Sequence, residues 1–373
     1  MSEDGIRAGS ILKNMHGQGR GGADVTDSTR LHGVNLTGWL MLASWVTPEL
    51  FADSGTLNER DLARVLGPVH YRDLIGAHRR SYITQEDFQN IADRGFNAVR
   101  LPVPWYVFGD KGPAPGPYVG CLGYIDDALA WAQDAGLKVL LVLGVSPGEG
   151  QFEDDLMSAS QLAQKHRNQA ISLLCGLARR YRSQEAFLGI ELADDPVPQK
   201  REGLFHMSAG VPLHILRNYY RMAYEAIRNA AGADVLIVLP DAGVPDAWDL
   251  FLARSHAKTV WLDCHLYQYL DDLSKTATVD ARSLVRRSEK SLDRARRSGL
   301  PVMVGKWSAA LPYSDTVTTP EGRIALERVY VSEQLSAYKD CPAWFFQTWK
   351  TSGRLPNWDA RIAHSSFERR LLD

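Results

Sequence analysis

The sequence contains few cysteines, and no pair of them has a metal-binding or redox spacing. The four thiols lie far apart in the chain, at Cys121, Cys175, Cys264 and Cys341, and no C-x-x-C motif occurs. A zinc site or a dense disulfide framework is therefore not expected. Buried free thiols are the simpler interpretation.

An excess of charge and a long apolar run are also lacking. The 373 residues carry a formal net charge of −2, which gives no reason to expect nucleic acid or an anionic membrane as a partner. No run of about 18 apolar residues predicts a membrane span. Residues 1–30 are polar and rich in glycine, without the apolar core of a secretion signal. We therefore expect a flexible leader over residues 1–30 and a cytoplasmic protein.

From Leu31 onward the chain alternates short apolar runs with amphipathic segments, which is typical of parallel βα units. The predicted strands are 33–36, 96–101, 138–144, 187–192, 235–239, 260–265, 301–306 and 344–349. Eight such units predict an α/β fold, a single-domain (β/α)8 TIM barrel over residues 31–373, with its functional residues at the C-terminal ends of the strands. Residues 52–82 are expected to form a long loop with one short helix.

A series of short motifs follows this pattern along the chain. In order they are GVNLTGWL (33–40), WVTP (45–48), GFNAVRLP (95–102), GLKVL (136–140), SPG (146–148), GIEL (189–192), DCHLYQ (263–268), VGKWSAA (304–310) and WKT (349–351). Their sequence and order resemble those of the fungal-type exo-1,3-β-glucanases of glycoside hydrolase family 5, from Leu31 to Asp359. The resemblance implies the barrel of a retaining β-glycosidase, although a fold alone does not define a function.

The positions at which this resemblance implies catalytic carboxylates carry other residues. The nucleophile position on the seventh strand is Lys306, and an Asn-Glu-Pro motif after the fourth strand is replaced by Asp194, Asp195 and a proline. A retaining glycosidase forms a glycosyl ester on its nucleophile. An ammonium cannot form this ester, and it repels the positive charge that develops on the sugar. Asp195, at the acid/base position, has a side chain one methylene shorter than glutamate.

The resemblance also implies a site for the terminal sugar, which is only partly retained. A glutamate after the first strand corresponds to Ala43, a histidine on the third strand to Gly144, and an aromatic platform on the eighth strand to Gln347. Arg100, His265 and Tyr267 are retained. As substrate-binding residues we predict Trp39, Arg100, His265, Tyr267 and Gln347.

Lys306 allows two interpretations from the sequence. It either fills the old site as an ion pair with Asp194 or Asp195, since a buried charge is tolerated only when paired, or it acts as a general base or forms a Schiff base. Arg100 would repel it unless Asp194 or another carboxylate lies between them. Because consecutive strand residues point to opposite sides, we expect at most one of the aspartates, Asp195, to face the pocket.

Three functions remain open. The first is a repurposed enzyme acting on a small polar metabolite, sugar-derived or carrying a carbonyl group, with Lys306, Asp195 and Asp194 as catalytic residues. The second is a pseudoglycosidase that binds a carbohydrate or a protein partner. The third is residual β-glucosidase activity. A small-molecule ligand is favoured because secreted glucanases attack wall polymers, whereas this chain is expected in the cytoplasm. No metal or organic cofactor is implied.

Overall fold

The computed structural model describes residues 30–109, 118–145, 164–199, 201–202, 206–207, 210–252, 259–267, 281–311 and 319–363. The predicted leader, apart from Arg30, lies outside the described residues, as does the SPG motif at 146–148. The four cysteines lie within them and are free; three are buried and Cys175 is half-buried. None of the helices in these ranges is long and apolar enough to cross a membrane.

Parallel strands form a closed barrel in which each strand pairs with its neighbours in the chain and the last pairs with the first. They are β1 (Leu31–Asn35), β2 (Ala98–Pro104), β3 (Lys138–Val145), β4 (Phe187–Glu191), β5 (Leu236–Pro240), β6 (Val260–Leu266), β7 (Val302–Trp307) and β8 (Ala343–Phe346). The predicted (β/α)8 barrel is confirmed, with strand ends displaced by at most three residues. A two-stranded hairpin, Arg201–Glu202 with His206–Met207, follows β4.

Helices separate the strands along the chain. They are α1 (Glu59–Ser81), α2 (Gln85–Asp93), α3 (Leu122–Asp134), α4 (Gln164–Tyr181), α5 (Leu213–Ala231), α6 (Ala281–Arg296), α7 (Pro320–Tyr338) and α8 (Ala360–Ala363). The strands beneath them are apolar almost throughout because both of their faces are buried, as in β2 and β5.

The segment between β1 and α2 differs from the expectation of a loop with one short helix, which was wrong. Helix α1 covers 23 residues of it, with a kink at Gly67, whose φ of 72° is not helical. Glycine adopts this angle at low cost, and Pro68 then starts the second half, where a missing N–H does no harm. Asn58 caps the first half by accepting a hydrogen bond from the backbone N–H of Asp61 at 2.9 Å.

Inside the barrel, apolar layers support a polar one at the C-terminal end. The apolar layers consist of Leu31, Ala98, Leu140, Val142, Leu236, Val238, Trp261, Met303, Ala343 and Phe345, all buried. Because side chains alternate along a strand, the residues two positions after Ala98, Trp261 and Met303 also face inward. These positions hold Arg100, Asp263 and Gly305, of which the two charged residues are fully buried.

Gly305 is a position at which this packing requires glycine. A Cβ atom there would lie 1.9 Å from the Oδ2 atom of Asp263, whose carboxylate also accepts a hydrogen bond from the Gly305 N–H. We predict that Gly305→Ala lowers the free energy of unfolding by about 1–3 kcal/mol, because the carboxylate must move. Urea unfolding measures this difference.

A matched control for this substitution is Gly123→Ala in α3. Within the described part of the chain, no atom lies within 4 Å of the Cβ position at Gly123. The control is expected to raise the free energy of unfolding by up to about 1 kcal/mol, through the higher helix propensity of alanine. Equal effects of the two substitutions would contradict the role assigned to Gly305.

Candidate functional site

Lys306 lies at the C-terminal mouth of the barrel, and a β-bulge sets its direction. Cys264 of β6 pairs with Val304 of β7, but the next residue, His265, pairs with Lys306, so Gly305 is an extra residue in β7. A bulge of this kind changes the direction of the following side chain. Lys306 therefore faces inward like Gly305, although alternation alone would turn it outward.

The ammonium of Lys306 is bound by two carboxylates. Its Nζ atom lies 2.7 Å from Oδ2 of Asp194 and 2.6 Å from Oδ2 of Asp195. The Lys306 side chain is only 3% exposed. The structure thus pairs Lys306 with both aspartates, as one of the two interpretations from the sequence requires. These contacts favour the charged form of the amine and oppose the neutral form that imine formation needs.

Asp195 is 31% exposed at the mouth and Asp194 is fully buried, but the expected cause, the alternation of side chains along a strand, was wrong. Strand β4 ends at Glu191, so neither aspartate follows the alternation of a strand. The backbone φ of Asp195 is 41°, in the left-handed region that aspartate adopts more readily than most residues. This turn brings both carboxylates to the same side, where they share Lys306.

Arg100 completes the buried part of the site. It donates from Nε and Nη2 to the carboxylate of Glu191 at 2.8 and 2.6 Å, and from Nη1 to Oδ1 of Asn35 at 2.9 Å. Its Nη2 also lies 2.6 Å from Oδ1 of Asp194, whose other oxygen binds Lys306. Asp194 therefore lies between Arg100 and Lys306. Its negative charge offsets the repulsion between these two cations that was expected from the sequence.

His265 links the aspartates to the barrel interior. Its Nδ1 contacts Asp195, and its Nε2 lies 3.0 Å from Oδ2 of Asp263. Burial alone would lower the pKa of the imidazole, but the carboxylates of Asp195 and Asp263 outweigh it and raise the pKa of His265 to about 10. His265 is therefore an imidazolium at neutral pH and a third cation of the cluster.

The carboxylates around these cations titrate differently. Burial raises the pKa of Glu191 to about 8, against the opposing effect of Arg100. Burial would also raise the pKa of Asp195, but His265 and Lys306 hold it well below its usual value. The pKa of Asp194 is lowered too, since Arg100 and Lys306 outweigh its burial. Both aspartates are therefore ionised at neutral pH.

We name the group of Arg100, Glu191, Asp194, Asp195, Asp263, His265 and Lys306 the ionic cluster. Two of its side chains are partly exposed at the mouth: Asp195, at 31%, and His265, at 11%. Two sets of its atoms lie close enough together to hold a metal ion, and both include His265. A divalent ion would have to displace Arg100 or Lys306 from the carboxylates, so the cluster does not fit a metal.

The other predicted binding residues lie at different depths. Tyr267 is half-buried at the mouth, and its ring centroid lies 5.6 Å from that of Trp358. Gln347 is 4% exposed and donates from Nε2 to Oγ1 of Thr37 at 2.9 Å. Its buried Oε1 has no hydrogen-bond partner among the residues that the structure describes. Tyr267 follows the last residue of β6 and Gln347 follows the last residue of β8, so both lie at the same end of the barrel as the ionic cluster.

Trp39 lies elsewhere, which corrects the expectation that it contacts a substrate. It is fully buried, donates from Nε1 to the carbonyl of Arg79 at 2.9 Å, and stacks on Trp131 with ring centroids 6.2 Å apart. Trp39 thus fastens helices α1 and α3 to the barrel. Trp39 follows Gly38 in the sequence, and this position does not show whether its side chain points to the mouth or to the helices.

An aromatic rim lies at the mouth, and of its residues only Tyr267 was predicted from the sequence. It consists of Trp45, Tyr267 and Trp358, all half-buried, with Trp45 and Trp358 in edge contact at 5.5 Å between ring centroids. Trp45 belongs to the WVTP motif, which pointed to the first strand but not to this contact. Trp358 follows β8 by twelve residues, and only the family motifs near it could have drawn attention to it.

Comparison with known proteins gives consistent matches. The family model described as Cellulase (glycosyl hydrolase family 5) matches residues 68–327. A probable glucan 1,3-beta-glucosidase A from Aspergillus fumigatus is 29% identical over 385 residues, covering 92% of this chain and 88% of the relative. Its counterpart from Aspergillus clavatus is 30% identical over 375 residues, with coverages of 88% and 84%.

Solved structures agree on the fold. A rutinosidase from Aspergillus niger superposes with a TM-score of 0.73 at 16% identity, covering 91% of this chain and 98% of the other. A glycoside hydrolase family 5 enzyme from Prevotella bryantii gives a TM-score of 0.60 at 16% identity, with coverages of 94% and 97%. At these identities the likeness concerns the barrel alone.

The ion pairs of Lys306 lead to a prediction about stability. Lys306→Met keeps a long side chain but leaves Asp194 and Asp195 without their shared cation. We expect the free energy of unfolding to fall by about 3–5 kcal/mol, as when one partner of a buried ion pair is removed. Urea unfolding at neutral pH measures it. Lys290→Met, on the exposed face of α6, is the control and should change the value by less than about 0.5 kcal/mol.

His265 leads to a prediction about pH. The pKa of its imidazole is about 10 in the folded protein against an ordinary value of 6.5. Its stabilisation is therefore complete below about pH 6.5 and is lost as the pH rises towards 10. The difference in the free energy of unfolding between wild type and His265→Gln should shrink steadily over this range. Urea unfolding at several pH values measures the difference; one that stays constant would show that His265 is not held as an imidazolium.

Proposed function

We infer the function of this chain from the premise that it belongs to the cellulase family, glycosyl hydrolase family 5. We propose that it is a carbohydrate-binding barrel that does not hydrolyse glycosides through a covalent intermediate. The observation that carries this proposal is the ammonium of Lys306, bound by Asp194 and Asp195 at 2.7 and 2.6 Å.

Retaining hydrolysis needs two carboxyl groups in different states. One must be an accessible nucleophile and the other a protonated acid, about 5–5.5 Å apart on either side of the bond. Lys306 holds the nucleophile position, and Asp195 at the acid position has a pKa well below its usual value. A carboxyl group that stays ionised cannot protonate a leaving group at neutral pH.

Residual activity by an inverting route is disfavoured by the same contacts. An inverting pair of carboxyl groups needs to be about 6.5–9.5 Å apart, with room for a water between them. Asp194 and Asp195 instead share one ammonium, and Asp194 is fully buried. The third function left open by the sequence therefore has the least support.

Carbohydrate binding is supported by the groups at the mouth. The rings of Trp45, Tyr267 and Trp358 provide apolar surface, and Asp195 and His265 provide partly exposed polar atoms beside it. A few polar groups beside aromatic surface are typical of small-ligand sites. The curated relatives carry names of glucan glucosidases. A sugar-like small molecule is therefore the ligand we propose, and the cytoplasmic location expected from the sequence remains part of this proposal.

A second candidate function is supported by the exposure of Asp195. Asp195 is 31% exposed and is the most accessible charged group of the ionic cluster. A repurposed enzyme could use Asp195 with Lys306 as an acid/base pair. Its substrate would be a small metabolite that is derived from a sugar or carries a carbonyl group. Its low pKa makes Asp195 a weak base, and the ion pairs of Lys306 oppose imine formation. For these reasons the binding function is preferred.

The proposal predicts binding without turnover. Purified protein should release no p-nitrophenol from p-nitrophenyl β-glucoside above the buffer rate. Titration calorimetry with a panel of monosaccharides and β-glucan oligosaccharides should show saturable binding to at least one of them. Trp358→Ala should weaken that binding about tenfold, since an aromatic contact is worth about 0.5–1.5 kcal/mol. Trp358→Phe is the control and should retain most of the affinity.

Other outcomes would decide for the competing functions. Hydrolysis that disappears in Asp195→Ala would restore the glucosidase function. A mass adduct on Lys306 after treatment with carbonyl compounds and borohydride would establish the imine-forming enzyme. If no carbohydrate in the panel binds, the proposed function is wrong.

A further inference from the structure

The mouth of the barrel has two chemically different sides. On one side, after β4, β6 and β8, lie Asp195, His265 and Gln347, which are polar. The other side is formed by the ends of β2 and β3 and by the loop after β1. Leu140 and Val142 of β3 face the barrel interior, so Gly144, two residues further on, does so as well.

Met41 fills the space above Gly144. A Cβ atom at Gly144 would lie 2.4 Å from Sδ and 2.8 Å from Cε of Met41, and 3.4 Å from Cβ of Pro102. Any side chain at position 144 would therefore occupy the volume that the thioether now takes. Met41 itself is 8% exposed, so most of its surface is packed. Among the described residues, the group above Gly144 is therefore an apolar thioether.

The loop that carries Met41 is held in place on both sides. The N–H of Leu42 donates to Oε2 of Glu59 at 2.9 Å, and Nη2 of Arg79 donates to the carbonyl of Leu40 at 2.7 Å. The other oxygen of Glu59 accepts hydrogen bonds from the hydroxyls of Tyr71 and Tyr106. Helix α1, which supplies Glu59 and Arg79, thus fixes Met41 over Gly144.

The opposite side offers hydrogen-bonding atoms. Asp195 and His265 are partly exposed there, whereas the Oε1 atom of Gln347, which has no hydrogen-bond partner among the described residues, is buried. A ring bound in the mouth would meet hydrogen-bonding atoms along one edge and a thioether along the other. A hydroxyl against the thioether would lose its bonds to water without replacement, whereas a methyl or methylene group there would gain from burial.

We propose that the mouth selects a deoxy sugar, bound with the edge that lacks a hydroxyl against Met41, and that Met41 is the residue that determines this specificity. The inference rests on the proposed carbohydrate binding and names the class of sugar. The inference does not involve the ion pairs of Lys306. The role of Met41 can therefore be tested separately from the proposed loss of glycoside hydrolysis.

Titration calorimetry with matched pairs tests the inference. The pairs are glucose with 6-deoxyglucose and 2-deoxyglucose, galactose with fucose of the same series, and mannose with rhamnose of the same series. At least one deoxy sugar should bind about tenfold more tightly than its parent, which is the lower end of what a single group in an apolar pocket achieves. Met41→Gln, nearly equal in size but polar, should abolish or reverse that preference.

Two further variants make the result interpretable. Met41→Leu keeps the site apolar and should keep the preference, which also covers the case in which Met41→Gln does not fold. Met222→Gln, on the outer helix α5, introduces the same polar group away from the mouth and should leave the preference unchanged. Urea unfolding confirms that each variant is folded.

The outcomes separate this inference from the proposed function. Binding of parent and deoxy sugars with equal affinity, or a preference that survives in Met41→Gln, would overturn the role of Met41 and leave carbohydrate binding intact. No binding of any sugar would overturn both.

Discussion

The ammonium of Lys306 is the group on which the arrangement of the barrel mouth depends. Four carboxyl groups, those of Glu191, Asp194, Asp195 and Asp263, converge on a largely buried volume. Buried carboxylates are tolerated only with compensating cations, and three are present: Lys306, Arg100 and His265. Within the ionic cluster Lys306 binds both aspartates, so it stabilises the fold around them.

Perturbed titration at the mouth of a barrel usually indicates catalysis, but ion-pair networks perturb pKa values as well. The carboxyls of Glu191 and Asp195 shift in opposite directions, as an acid and a base would. Here the shifts follow from the partners of each group. Glu191 has lost water to burial, whereas Asp195 lies between two cations. Burial and ion pairing therefore explain the pKa shifts of Glu191 and Asp195 without a catalytic role.

Much of the fold and part of the site could be predicted from the sequence. The strands were found because both of their faces are buried, and Lys306 and Asp195 were placed by the motifs around them. The bulge at Gly305 and the left-handed backbone of Asp195 were not found, since both depend on the register between distant strands. Trp39 was assigned to the site because a motif gives a residue's position and not the side of the chain that it faces.

Because of the cluster, we expect that exchanging Lys306 alone would not introduce glycosidase activity. A glutamate at position 306 would place five carboxyl groups beside two cations, Arg100 and His265. Repulsion would then expel a carboxylate or force its protonation, and the cost would appear as lost stability. On the other side of the mouth, Met41 would still occupy the space above Gly144. Each side of the mouth is held by its own contacts, so the proposed loss of glycoside hydrolysis would involve the whole mouth and not Lys306 alone.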